Sequence, residues 1–215
     1  MKFKNKNIKW TSNIAYAVGL ITTDGCLSTD GRHIDFTSKD IQLLNTFKKC
    51  LSINNRITSK RSSYTGRKDC FRVQFGNVVF YRWLLGIGLM RNKTKRISSL
   101  EIPDKFFFEF LRGHLDGDGC IRVYQDLIYP KSQRIYTSFN SSNIRHLEWL
   151  QSTIKRLLNI NGYIENKIRI FSLKYAKNDS SVLLPEIYPN SKIPCLKRKY
   201  KIVQNLNFMP KWWNR

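Results

Sequence analysis

Apolar residues in IAYAVGLITT (14–23) recur at helical spacing, and Ser12 or Asn13 stands where an N-cap belongs. A polar hairpin follows, with Asp30 and Gly31 as its turn and HIDFTS (33–38) as its return strand. The amphipathic run IQLLNTFKKCLSI (41–53) predicts a second helix, capped by Ser38 or Asp40. RITSKRSS (56–63) and CFRVQFG (70–76) read as strands, and VVFYRWLLGIGL (78–89) as a third helix.

After a proline-containing joint, LEIPDK (100–105), the pattern repeats. FFFEFLRGHLDG (106–117) matches the first helix, and CIRVYQ with RIYTSFNSS makes a longer hairpin. IRHLEWLQSTIKRLLNI (144–160) matches the second helix, GYIEN and RIFSLKYA supply two strands, and VLLPEIY and RKYKIVQNL form short helices. Each pass is helix, two strands, helix, two strands, helix. The fold class is therefore mixed α+β, built from tandem αββαββα repeats over 1–99 and 108–215, with 100–107 as linker.

Charge narrows the partner. The 215 residues carry 38 Lys and Arg against 15 acids, a formal net charge of +23. Such an excess implies a polyanion, either nucleic acid or an anionic surface. No apolar stretch reaches membrane-span length, and MKFKNKNIKW lacks the apolar run of a signal peptide, so an intracellular protein is expected. A membrane-surface role would concentrate the basic residues on one helix, whereas here they spread over the strands as well. The cysteines (Cys26, Cys50, Cys70, Cys120, Cys195) are odd in number and lack short metal-ligand spacing, which argues against disulfides and structural zinc. With only His33, His114 and His146, a histidine metal site is also a poor fit.

The chemistry sits where the two repeats agree most. GLITTDGC (19–26) and GHLDGDGC (113–120) each end an apolar helix in an acid, a glycine and a cysteine. A mid-helix glycine costs about 1 kcal/mol against alanine, so Gly19 and Gly113 point to close helix contact. Helices packed there would bring their ends, and hence Asp24 and Asp118, together. A helix C-terminus disfavours an acid and adjacent carboxylates repel, so a divalent cation is the natural remedy. Oxygen ligands select a hard ion, Mg²⁺, Mn²⁺ or Ca²⁺, with Mg²⁺ the expected cofactor. The carbonyls at the helix ends, Thr23 and Gly117, are candidate further ligands. A single DG is a common turn signal; two copies in matched contexts are far more specific.

A carboxylate-held cation and a basic surface meet in phosphodiester chemistry on nucleic acid. Strand residues available for base or phosphate contact are Arg56, Thr58, Lys60, Arg61, Arg67, Arg72 and Gln74 in the first repeat. In the second they are Arg122, Tyr124, Gln125, Arg134, Tyr136, Ser138 and Arg169. A curved sheet presents such residues to the major groove, and two unequal halves suit a long, partly asymmetric duplex.

The nine-residue motifs AVGLITTDG (17–25) and LRGHLDGDG (111–119) resemble those of the single-chain, two-repeat LAGLIDADG homing endonucleases, over nearly the whole chain. The first copy departs at Thr22, where the second has Asp116. The resemblance implies a saddle of antiparallel strands, with both motif helices at the interface. It implies a monomer that cuts both DNA strands across the minor groove and leaves short 3′ overhangs, with Asp24 and Asp118 as the essential acids. It further implies an active-site lysine near the end of each repeat, here Lys93 and Lys199. A polar residue after each first hairpin, near Asp35 and Ser138, would contact metal-bound water. The ends of the chain carry no splicing signature, which favours an intron-encoded or free-standing enzyme. The alternative is a non-cleaving binder, such as a group I intron RNA maturase or a DNA-binding regulator; RNA binding fits the charge equally well.

Overall fold

The computed structural model describes residues 8–61, 66, 69–129 and 133–206. The first repeat contains α1 (Ser12–Asp24), β1 (Gly25–Leu27), β2 (His33–Ser38), α2 (Ile41–Leu51), β3 (Ile57–Lys60), β4 (Cys70–Gly76) and α3 (Val78–Gly86). The second contains α4 (Phe107–Asp118), β5 (Cys120–Gln125), β6 (Gln133–Ser141), α5 (Ile144–Leu158), β7 (Tyr163–Asn166), β8 (Phe171–Tyr175) and α6 (Lys177–Ile187). A further helix, α7 (Lys197–Gln204), follows. Both four-stranded sheets are antiparallel and share one topology, β1-β2-β4-β3 and β5-β6-β8-β7. The expected order of elements is thus present twice.

Local chemistry sets the helix ends. Thr11, not Ser12 or Asn13, caps α1, its hydroxyl accepting from Ile14 N at 3.2 Å. Ser12 instead donates to Glu109 Oε1 at 3.1 Å. Asp40 caps α2 as expected, accepting from Gln42 N at 3.0 Å. The matched helices α2 and α5 stop at Ser52 and Asn159, both left-handed, a common way to end a helix. The third helix ends at Gly86, before the expected 89, because the chain turns through Gly88 at φ +99°. Conversely α6 begins at Lys177, ahead of the expected 182.

Packing divides the chain into two compact units. The first holds α1–α3, their sheet, α4 as far as Gly117, and Pro194–Leu196. The second holds Thr94–Ser99, the second sheet, α5, α6 and α7. In the first unit α1 is buried along its length, Ile14 through Thr22, as an all-round apolar helix must be. It lies directly against α4. A Cβ at Gly19 would fall 2.1 Å from Phe110 O, and one at Gly113 would fall 2.1 Å from Tyr16 O. Only glycine permits that approach, which is the reason both apolar helices carry one.

Candidate active site

The acid of the first repeat ends α1. Thr23 Oγ1 lies 3.2 Å from Asp24 Oδ2 and 3.0 Å from Leu20 O. Gly117 of α4 faces the same carboxylate: a Cβ there would meet Thr23 Oγ1 at 2.0 Å and Asp24 Oδ2 at 2.8 Å. Lys93, buried in a short 3₁₀ turn (Lys93–Lys95), donates from Nζ to Thr23 O at 3.3 Å and to Gly25 O.

The second unit repeats this device by itself. Asp118 is the last residue of α4, and Asn140 Nδ2 donates to its carbonyl at 2.7 Å. Lys199, buried on α7, donates to Gly119 O at 2.7 Å. Each lysine therefore grips the carbonyl of the glycine that follows the acid. A buried ammonium needs such charge-assisted bonds, and it offsets the negative partial charge of a helix C-terminus that ends in an aspartate.

Asp116 has a different task from its neighbour. It is 1% exposed, and its Oδ2 accepts from Tyr16 OH at 2.8 Å and from Leu196 N at 2.7 Å. It ties α4 to α1 and to the Pro194–Leu196 segment, which also receives Arg112 Nε at Pro194 O, 2.9 Å away. At the matching position Thr22 bonds only within its own helix, to Val18 O at 2.8 Å. This departure of the first motif falls on a packing contact.

Among the described residues, no three His, Cys, Asp or Glu side chains cluster to cage a metal. The donors beside each acid are a carboxylate and backbone carbonyls, all hard oxygens. That set suits Mg²⁺, which typically takes one or two protein carboxylates and completes its shell with water and substrate phosphate. The Thr23 carbonyl also holds the Lys93 ammonium, so its remaining lone pair is what it offers a cation.

Alternation sorts the strand residues by face. In the first sheet, Val73 and Phe75 point to the core, while Thr58, Lys60, Arg72 and Gln74 share the polar face with Asp35. Arg56 and Arg61 flank β3 and are exposed. Arg67 lies outside the described residues. In the second sheet, Arg122, Tyr124, Arg134, Tyr136 and Ser138 share the polar face, and the rings of Tyr124 and Tyr136 stack at 6.1 Å. Gln125 has the parity of Ile121 and Val123 and falls on the opposite face. Arg169 sits in the β7–β8 turn, not on a strand. Asp35 pairs with Cys26 and Ser138 with Cys120, so these two occupy the same register position in their sheets.

Sequence reasoning passed over four residues. Asn140, Tyr163, Lys167 and Lys174 join Arg122, Tyr124, Tyr136 and Ser138 around a cavity of about 250 Å³ on the second polar face. The alternation of β8 marks Lys174 as outward-facing, but only the pairing of Lys174 with both Tyr163 and Ser138 shows that they meet.

No protein-family model matches the chain, and no curated protein matches it by sequence. Solved structures do. The homing endonuclease I-WcaI, bound to its DNA recognition sequence, is 14% identical, with TM-score 0.64 over 92% of this chain and 90% of that one. The LAGLIDADG homing endonuclease I-LtrWI, bound to target DNA, is 14% identical, with TM-score 0.58 over 92% and 89%. The N-terminal LAGLIDADG domain of DUF199/WhiA is 18% identical, with TM-score 0.56 over 92% and 91%. This chain therefore has the LAGLIDADG fold, in a single-chain form that carries the motif twice.

Proposed function

We propose that the protein is a site-specific endonuclease that hydrolyses both strands of double-stranded DNA in the presence of a divalent cation, leaving short 3′ overhangs. The observation that carries this reading is the doubled acid–glycine–lysine unit: Asp24, Gly25 and Lys93 in one compact unit, Asp118, Gly119 and Lys199 in the other. A duplex has two strands, and two such units match two scissile phosphates. A pure binding protein has no use for an acid at the wrong end of each helix dipole.

Asp24 and Asp118 would hold the cation, with the Thr23 and Gly117 carbonyls as further oxygen donors. When bound, a divalent ion supplies neutralisation of phosphate charge and lowers the pKa of water at the phosphorus. The chain's own part is to fix the acids and keep positive charge beside them. Lys93 and Lys199, locked on the glycine carbonyls, provide that charge without a rotamer search. The polar sheet faces supply phosphate neutralisation and base contacts, and their different residues suit an asymmetric target. That solved structures of this fold include DNA-bound homing endonucleases supports the choice of substrate.

The test is cleavage of a plasmid library carrying randomised inserts, with Mg²⁺ or Mn²⁺, by wild type, Asp24→Asn and Asp118→Asn. Each variant is expected to retain DNA binding and lose double-strand cutting, and Ca²⁺ is expected to support binding alone. Normal cutting by both variants would refute the assignment of the acids. Tight binding to DNA or structured RNA with no cutting by wild type would identify a non-cleaving binder.

A further inference from the structure

An acid on the surface that faces a polyanion is a liability unless it does something else. Asp126 is such an acid, at the foot of the β5–β6 hairpin, and it is only 8% exposed. Two bonds fix it: Oδ1 accepts from Ile128 N at 2.9 Å and from Tyr129 N at 3.2 Å. Its other oxygen, Oδ2, accepts from Arg134 Nε at 2.5 Å. Arg134 lies on the polar face, opposite Tyr124 in the ladder, with its side chain about half exposed. Asp126 and Tyr136 both hydrogen-bond the guanidinium and raise its pKa, while Arg134 holds the Asp126 carboxyl below its usual range. The first sheet uses a similar brace: Asp35 Oδ2 meets Arg72 Nη1 at 3.2 Å and Thr37 Oγ1 donates to Oδ1 at 3.0 Å.

This geometry is poorly suited to gripping a phosphate. The carboxylate cancels much of the arginine's charge and itself repels phosphate. It is well suited to reading a base edge. Bonded through Nε to Asp126, the guanidinium is tethered along one edge while the side chain stays about half exposed. A guanidinium fork matches the O6 and N7 acceptors of guanine in the major groove. We propose that Asp126 is a positioning residue that sets Arg134 to read a single guanine in the target. The inference rests on the DNA-binding reading above.

Asparagine separates this role from a merely structural one. Asp126→Asn keeps an oxygen for the Ile128 and Tyr129 amides, so the turn survives, but it removes the charge that holds Arg134. Wild type, Asp126→Asn, Arg134→Ala and Arg134→Lys are each used to enrich binding sites from a randomised duplex library, with folding followed by circular dichroism. Wild type should enrich guanine at one position. Arg134→Ala and Arg134→Lys should lose that preference, a fall in discrimination of roughly tenfold to a hundredfold. Asp126→Asn should relax the same position by about tenfold, with binding to random duplex unchanged or tighter. Two results overturn the inference while leaving DNA binding intact: Asp126→Asn keeping the wild-type preference, or no guanine position responding to Arg134. Enrichment of no DNA by wild type overturns both readings together.

Discussion

Gly113→Ala puts the helix contact to a quantitative test. The new Cβ would fall 2.1 Å from Tyr16 O and 3.0 Å from Leu20 N, whereas ordinary contact begins at 3.4 Å. The atoms it meets are helix backbone, which cannot rotate away, so α1 and α4 must separate by about 1 Å. Overpacking of this kind costs about 1–3 kcal/mol, and the backbone partners place this case at or above the top of that range. Alanine returns about 1 kcal/mol through helix propensity. The net expectation is a loss of about 2 kcal/mol or more, which lowers the melting temperature by roughly 4–8 °C in a chain of this size. Thermal melting by circular dichroism measures it, with Gly86→Ala as control. A Cβ at Gly86, the last residue of α3, meets nothing within 4 Å, so that variant should melt at or slightly above wild type. If Gly113→Ala melts no lower than wild type, glycine is not what lets these helices approach.

Other outcomes follow from the same geometry. Gly117→Ala strikes the rotatable Thr23 hydroxyl and the Asp24 carboxylate, so plasmid cleavage should fall by roughly tenfold or more, with a smaller drop in melting temperature than Gly113→Ala. Lys93→Met and Lys199→Met each strip a glycine carbonyl, buried at Gly25 and part-buried at Gly119, of its charged donor; each should cost about 1–3 kcal/mol in urea unfolding and make nicked circles accumulate in a plasmid assay. Asp116→Ala removes the acceptor shared by Tyr16 OH and Leu196 N and should destabilise by about 2 kcal/mol or more, while Asp116→Asn, still an acceptor, should cut DNA near the wild-type rate. Burial pushes the Cys50 thiol up to about 12, so at pH 8 a thiol reagent should label exposed Cys26 well before Cys50, as peptide mass mapping would show.

Pattern alone determined much of this protein. The hydrophobic spacing and turn residues gave the order αββαββα twice, because periodicity and capping are local properties of the chain. The doubled Asp-Gly at the helix ends marked Asp24 and Asp118, and the paired mid-helix glycines announced a close helix contact. What depended on distant residues was out of reach. Whether Thr11 or Ser12 caps α1 turns on Glu109, which occupies Ser12. The motifs differ at Thr22 and Asp116, but what Asp116 does was not legible, because its partners, Tyr16 and Leu196, lie far away in sequence. Gln125 read as a strand contact residue, but sheet register turns it to the opposite face. Lys174 and Tyr163 come together only through strand pairing. The same holds for Lys93 and Lys199: sequence resemblance suggested that they sit near the acids, and tertiary structure puts each on the carbonyl of the glycine beside its aspartate. Spacing along the chain specifies which elements form, whereas side-chain partners are decided by where the packed elements leave room for a donor and an acceptor to meet.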